Sequence, residues 1–324
     1  PLICILFNAD FDGDQMNLIN YSREESLNEQ RMLTGVESHM TSFATGGILV
    51  GQSGDSVVGV AKLTQHGQEL DKRHTCMLFS TTDFMPDLHE FNPISSRISG
   101  RDAFSLAHPP LHFATISTYY NPKSAWMKWM KPQPENEKVV IVGGRLMSGC
   151  VDSATLGSVQ GSIYQAIVHE FGPARALECL FTDQQVGINF LSQLGFTTGI
   201  RDFMIAPSER AKVDAVSQDI EARSKRNVEQ LDRGEIVPSI GMTREQFYEA
   251  QQIATQGISD EYYEPVIRSI KNPRRNGAFE MMASGCKGKI TFMVNMIAAV
   301  GLVLINRARV PLNFGYQRTL PYFQ

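Results

Sequence analysis

Three aspartates spaced two residues apart, in Asn8-Ala9-Asp10-Phe11-Asp12-Gly13-Asp14, constrain this 324-residue chain more than any other feature. Carboxylates at i, i+2 and i+4 repel one another, and they are tolerated close together only in water or around a cation. Gly13 permits a tight turn on which all three converge on one ion. Carboxylate oxygens suit hard Mg2+, which demands near-octahedral geometry and keeps some of its water. Three readings compete. An EF-hand loop also begins D-x-D-x-D, but its sixth and twelfth positions, counted from Asp10, hold Gln15 and Tyr21 where Gly and Glu are required. A solvated acidic turn sits poorly with the apolar flanks Ile3 to Phe7, Phe11, Met16 and Leu18. The third reading is a catalytic Mg2+ site for phosphoryl chemistry, where metal stabilises the attacking and leaving oxygens.

Charge narrows the partners. With 30 basic and 34 acidic residues the formal net charge is −4, which excludes a uniformly basic nucleic-acid coat. The balance is uneven: residues 271–324 carry Lys271, Arg274, Arg275, Lys287, Lys289, Arg307, Arg309 and Arg318 against Glu280 alone, so that segment is +7 and the remainder −11. A face toward polyphosphate and a solvated basic rim both fit it. Five scattered cysteines with no C-x-x-C pair argue against a disulfide scaffold and a cysteine zinc site, and fit a reducing, intracellular compartment. No basic–apolar–small signal pattern opens the chain. The apolar run Ile290 to Ile305, broken by Thr291, Asn295 and Gly301, is shorter than the ~20 residues a spanning helix needs. It reads as a buried core helix, with no membrane partner.

At ~150 residues per domain the length allows about two domains. Residues 1–75 are short apolar pieces broken by glycines, which predicts strands, turns and one helix near Arg23–Leu33. Residues 76–137 are rich in loop signals, and Val139 to Val142 forms a short β-branched strand leading to Gly143-Gly144. Helices are expected near Ile163–Phe171 and from Pro173 to about Leu194, with Pro173 in a first turn and Gly195 just past the end. From 208 to 270 the chain changes character. Val213, Val216, Ile220, Val228 and Leu231 make a narrow apolar stripe on a charged helix. Gly234, Pro238 and Gly241 break it. A second helix starts at Thr243 with Gln246 completing a capping box, presents Phe247, Ala250, Ile253 and Ala254, and is bounded by Asn272-Pro273. A projecting antiparallel hairpin and two ordinary helices of a helical domain both fit this pattern.

The segment Asn8 to Asp14 closely resembles the N-A-D-F-D-G-D signature of the largest subunit of multisubunit DNA-dependent RNA polymerases. Other segments resemble that family in family order: Gly51 to Thr64; Arg145 to Gly149 with Val151, Asp152, Gly157 and Ser158; Gly195-Phe196 with Gly199, Ile200 and Asp202; and Ser284-Gly285-Cys286-Lys287-Gly288. Val310-Pro311 and Arg318 to Phe323 resemble the eukaryotic, archaeal and large-DNA-virus branch. The resemblance covers essentially the whole chain. It implies an α+β fold with four regions. Residues 1–75 would be an active-site region forming part of a double-psi β-barrel, and 76–207 a mixed pore region. Residues 208–275 would be a funnel hairpin on the secondary channel, and 276–324 a basic loop with a buried C-terminal helix at the start of the cleft.

What the resemblance implies for function is equally specific. Asp10, Asp12 and Asp14 would hold the permanent catalytic Mg2+. Asn8 would contact the ribose hydroxyls of the incoming nucleotide, and Lys287 its triphosphate. The reaction would be two-metal nucleotidyl transfer from NTPs to an RNA 3′-end, the second Mg2+ arriving with the triphosphate. Partners would be the second-largest and smaller subunits, template DNA, nascent RNA, NTPs and a cleavage factor at the funnel. The sequence departs from the family at Ile19, Gly54, Arg201, Cys286, Lys289, Asn295 and Leu302-Val303, which suggests a viral or otherwise divergent polymerase. Family largest subunits are far longer, so the chain is expected to be the central part of one, as a split polypeptide or an excerpt, and inactive alone. Two other classes stay open: a non-catalytic assembly scaffold, against which the intact triad argues, and a standalone metal-dependent nuclease, against which the absence of a Lys or His base in the cluster argues. Trp126, Trp129, Tyr119 and Tyr120 are either nucleic-acid stacking residues or local packing.

Overall fold

The computed structural model describes residues 2–85, 97–128, 130, 133–256, 260–270, 272–302, 304–305 and 308–309. Trp129, Lys271, Val303, Arg307 and everything from Val310 onward, with the Arg318 to Phe323 segment, lie outside the described residues. The chain forms two compact units: residues 1–197 with 280–288, and residues 198–279 with 289–324. Helices and small antiparallel sheets alternate, with no parallel sheet among the described residues, so the fold class is α+β.

The first unit begins with α1 (Cys4–Phe7), α2 (Glu24–Leu33) and α3 (Asp55–Thr64). Next come β1 (Glu69–Asp71), α4 (Lys72–Phe79), β2 (Arg97–Ser99), α5 (Gly100–Ser105) and β3 (Phe113–Ile116). It continues through α6 (Pro134–Glu137), β4 (Lys138–Val142), β5 (Arg145–Ser148), α7 (Ser153–Leu156), α8 (Ile163–Phe171) and α9 (Pro173–Leu194). β1 pairs with β2, and β3-β4-β5 form a three-stranded antiparallel sheet. The expected strand at Val139 to Val142 is β4. Its two-residue turn into β5, Gly143-Gly144, has φ of 58° and 82°, the doubly left-handed geometry of a type I′ hairpin.

The core of this unit is built on α9, which buries Ala176, Cys179, Leu180, Val186 and Phe190. Pro173 and Gly172 mark its start, and Gly195, at φ 74°, its end, as the residue chemistry predicts. α3 packs against α9 at two glycines. A Cβ on Gly59 would strike the Gly187 backbone, and one on Gly187 would strike that of Ser56. This overturns the expectation of strands in residues 1–75, where α3 is a helix and β1 is the only strand among the described residues. Val57, Val58 and Val60 are β-branched and favour strands, but all three are buried, and tertiary burial outweighs a propensity of a few tenths of a kcal/mol. The expected barrel is also not seen among the described residues, whose strands form open sheets of two, three and two. Residues 9–22 are neither helix nor strand. The loop-rich reading of 76–137 missed α5, β3 and α6, which are too short to show a period.

The second unit contains α10 (Pro207–Asp232), α11 (Arg244–Gln256) and α12 (Tyr263–Ser269). α13 (Gly277–Ala283) spans the division, and α14 (Ile290–Ile297) is followed by the hairpin strands β6 (Leu304–Ile305) and β7 (Ala308–Arg309). α10 and α11 run antiparallel, Arg244 reaching the Leu231 carbonyl while Ser224 donates to Gln252 at 2.6 Å, and Asn227 donates to Thr255 at 2.8 Å. The capping box is formed in both directions, Thr243 N–H to Gln246 Oε1 at 3.0 Å and Gln246 N–H to Thr243 Oγ1 at 3.2 Å. The second helix does not continue to Asn272, however. α11 ends at Gln256, and Pro265 lies in the first turn of α12, where its missing N–H costs no hydrogen bond. The helix expected over 290–305 likewise stops at Ile297. Gly301, at φ 69°, turns the chain into β6, and α14 buries one face (Met293, Val294, Ile297) while Phe292 and Met296 stay exposed. No helix among the described residues is long and apolar enough to cross a membrane.

Candidate metal and substrate site

α1 ends at Asn8, whose φ of 49° is left-handed, a conformation Asn tolerates better than other L residues. The turn beyond it is closed by its own carboxylates. Asp12 N–H donates to Asp10 Oδ1 at 3.3 Å, and Asp10 N–H to Asp14 Oδ2 at 3.1 Å. Gly13 takes φ 115°, closed to most side chains. Asp10, Asp12 and Asp14 are thereby gathered at the surface, each offering one oxygen within 4.8 Å of the other two. Oxygens on an octahedron of ~2.1 Å bonds lie about 3.0 or 4.2 Å apart. That spacing is compatible with all three ligating one hard divalent cation, and an all-carboxylate donor set suits such an ion.

The other two predicted residues are placed separately. Asn8 adjoins the triad in sequence, but its amide makes no hydrogen bond to it among the described residues. Lys287 is exposed on the turn after α13, between Gly285 (φ 73°) and Gly288 (φ 90°), and no ion pair among the described residues joins it to the triad.

Three sequence segments that are distant in the chain meet around α3. The 150–158 segment is sewn along that helix: Cys150 Sγ to the Ala61 carbonyl at 3.2 Å, Val151 N–H to Thr64 Oγ1 at 2.9 Å, and Gln52 N–H to the Leu156 carbonyl at 2.6 Å. A Cβ on Gly51 would collide with the backbone of Gly157 and Ser158. The 284–288 turn joins the same assembly, since Ser153 N–H donates to the Ser284 carbonyl at 3.1 Å. Burial, the Asp55 carboxylate and, opposing them, Lys287 together push the Cys286 thiol up to about 11, so it stays protonated at neutral pH.

Two buried acids support this arrangement. Asp152 caps α7 through Ala154 N–H at 3.0 Å and accepts from Ser117 Oγ at 2.6 Å and Tyr119 N–H at 2.9 Å. Burial outweighs those hydrogen bonds and pushes its carboxyl up to about 6. Asp183 accepts from Tyr164 OH at 2.8 Å and lies 3.4 Å from His108 Nε2, while Gln52 donates to the Tyr164 oxygen at 3.3 Å. Burial opposes a charge on His108, but the Asp183 carboxylate and the Phe104 carbonyl on Nδ1 raise its pKa overall.

The aromatic pair resolves toward packing. Tyr119 and Tyr120 stack at 4.5 Å, both buried, and Trp126 Nε1–H donates to the Tyr119 carbonyl at 2.9 Å. Sequence reasoning missed Lys62 and Glu280, an ion pair whose side chains are 15% and 3% exposed. The only signal was a lone acid in a basic segment.

Comparisons with known proteins agree along the chain. The family model described as RNA polymerase Rpb1, domain 3, matches residues 39–203, and that described as RNA polymerase Rpb1, domain 4, matches residues 228–324. The chain is 31% identical to the DNA-directed RNA polymerase RPB1 homolog of African swine fever virus (isolate Warthog/Namibia/Wart80/1980), over 99% of this chain and 22% of that protein. It is 27% identical to the DNA-directed RNA polymerase subunit Rpo1N of Methanothermobacter thermautotrophicus (strain Delta H) and 26% identical to that of Thermoplasma acidophilum, over 99% of this chain and 36% of each of those proteins. It thus spans between about a fifth and a third of the length of the relatives it matches.

Proposed function

Because the chain belongs to the RNA polymerase Rpb1 family and corresponds to a middle portion of a largest subunit of the viral and archaeal branch, we propose that it carries the catalytic centre of a DNA-directed RNA polymerase. The observation that carries this reading is the gathering of Asp10, Asp12 and Asp14 on one turn, in a chain of that family.

In this reading the three aspartates hold a magnesium ion. When bound, the ion supplies Lewis-acid polarisation of the RNA 3′-hydroxyl and of the α-phosphate under attack. The chain's own residues position and orient. Asn8, whose amide both donates and accepts, bonds the ribose hydroxyls of the incoming nucleotide and senses the 2′-OH. Lys287 is a flexible point charge suited to the triphosphate. The tightly packed meeting of the 51–64, 150–158 and 284–288 segments gives Lys287 a rigid base, as positioning catalysis requires. Residues 76–207 would form the pore and 208–275 the funnel that admits nucleotides and a cleavage factor. The second-largest subunit, the smaller subunits, template DNA and nascent RNA would complete the active complex.

Primer extension by the assembled complex, with Mg2+ titrated, tests the reading. Asp12→Asn is expected to lower extension at least about a hundredfold, the cost of losing one group that stabilises transition-state charge. The complex should still assemble. Unchanged extension in that variant would place the chemistry on another chain.

A further inference from the structure

We infer that the buried Lys62–Glu280 ion pair is the positioning device for Lys287. This inference rests on the reading of Lys287 as a triphosphate ligand.

Lys62 projects from the last turn of α3 and pairs with Glu280, both side chains largely withdrawn from water. Its ammonium also lies 5.7 Å from the centre of the Phe196 ring, which fixes its direction. A pair this desolvated holds its geometry, because separating the charges leaves each one buried without compensation.

The chain from Glu280 to Lys287 transmits that geometry. Ser284 N–H returns to the Glu280 carbonyl at 3.0 Å, Gly285 N–H to that of Met282 at 3.1 Å, and Lys287 N–H to that of Met281 at 3.2 Å. Halfway along, the Ser284 carbonyl accepts from Ser153 N–H at 3.1 Å, and the Ser153 hydroxyl occupies the space a Cβ on Gly285 would need. The arm is anchored at its root by Lys62, braced in the middle by Ser153, and hydrogen-bonded at the backbone of Lys287. Within 280–287, Lys287 is the residue whose side chain is exposed to meet a ligand. Lys62 and Glu280 touch no substrate in this scheme and act through Lys287.

The test is a double-mutant cycle in the assembled polymerase, reading KM for NTP and kcat separately. Lys287→Ala is expected to raise KM about tenfold. Lys62→Met should raise it by a similar factor, Lys62→Arg by much less, and Lys62→Met added to Lys287→Ala should change nothing further. Where Lys62→Met fails to assemble, Glu280→Gln takes its place in the cycle. If Lys287→Ala raises KM while the Lys62 and Glu280 variants leave it unchanged, or if their effects multiply with that of Lys287→Ala, the positioning role is wrong and the reading of Lys287 stands. If Lys287→Ala leaves KM unchanged, the assignment of Lys287 falls and takes this inference with it.

Discussion

Asp152 is the residue at which burial and hydrogen bonding oppose each other most directly. Its carboxyl accepts from a hydroxyl and two backbone N–H groups, yet burial holds its pKa near 6 against an ordinary value of 3.8. A folded-state pKa raised in this way gives a stabilising contribution that is fully present below pH 3.8 and lost as pH rises through about 6. In Asp152→Asn an amide nitrogen must face one of the N–H or O–H donors, at a cost of about 1–3 kcal/mol. At roughly pH 5 the substituted chain should therefore show faster hydrogen exchange at residues 117–120 and 152–156 in the assembled protein, and the gap should narrow toward roughly pH 8. A pH-independent gap would mean that the carboxyl does not titrate in this range. Asp10, Asp12 and Asp14 differ in kind: they are exposed and local in sequence, so their convergence was readable from spacing alone. Asp152 was readable only as part of a motif, because its donors at Ser117 and Tyr119 lie far from it in the chain.

At the scale of elements, the α3–α9 crossing organises the first unit, and two glycines set its closeness. Gly59→Ala would drive a methyl into the Gly187 backbone, which has no flexible end to yield. Overpacking of this kind costs about 1–3 kcal/mol or more. Gly199→Ala, at φ −121° and with open space around it, should cost under about 0.5 kcal/mol. Limited proteolysis of the two variants in the assembled protein separates them: early cleavage within 55–64 or 173–194 is expected for Gly59→Ala alone. Equal resistance would mean that the helices can spread at little cost. This crossing also shows why parts of the fold were legible and others not. α9 announced itself through Pro173, Gly195 and a long apolar period, and α11 through the Thr243–Gln246 box, all local signals. α3 did not, because Val57, Val58 and Val60 point to a strand and only packing against α9 makes them helical. Lys62 and Glu280 are distant in sequence, and no local pattern joins them.

Across the molecule, the conspicuous feature is apolar surface concentrated in the first unit's opening residues. Ile3, Ile5, Phe7, Phe11, Met16, Leu18, Ile19, Met32 and Leu33 are all exposed, Phe11 at 87% and Leu18 at 101%. Scattered apolar residues at a surface are ordinary, whereas a run of them within one segment is the pattern of a surface that a partner covers. The same segment bears the turn of Asp10, Asp12 and Asp14, so whatever covers it would also enclose the proposed chemistry. In a polymerase the covering surface would belong to other parts of the multisubunit assembly, and enclosure would strengthen the field of the three carboxylates by excluding water. The 324-residue chain on its own is therefore expected to self-associate and to bind a hydrophobic dye strongly, and to lose both properties in the assembled complex. Sedimentation velocity with dye titration measures this directly. A monodisperse isolated chain that melts cooperatively and binds no dye would show that residues 3–33 cover themselves, and the enclosure of the aspartate turn would then have to come from this chain's own fold.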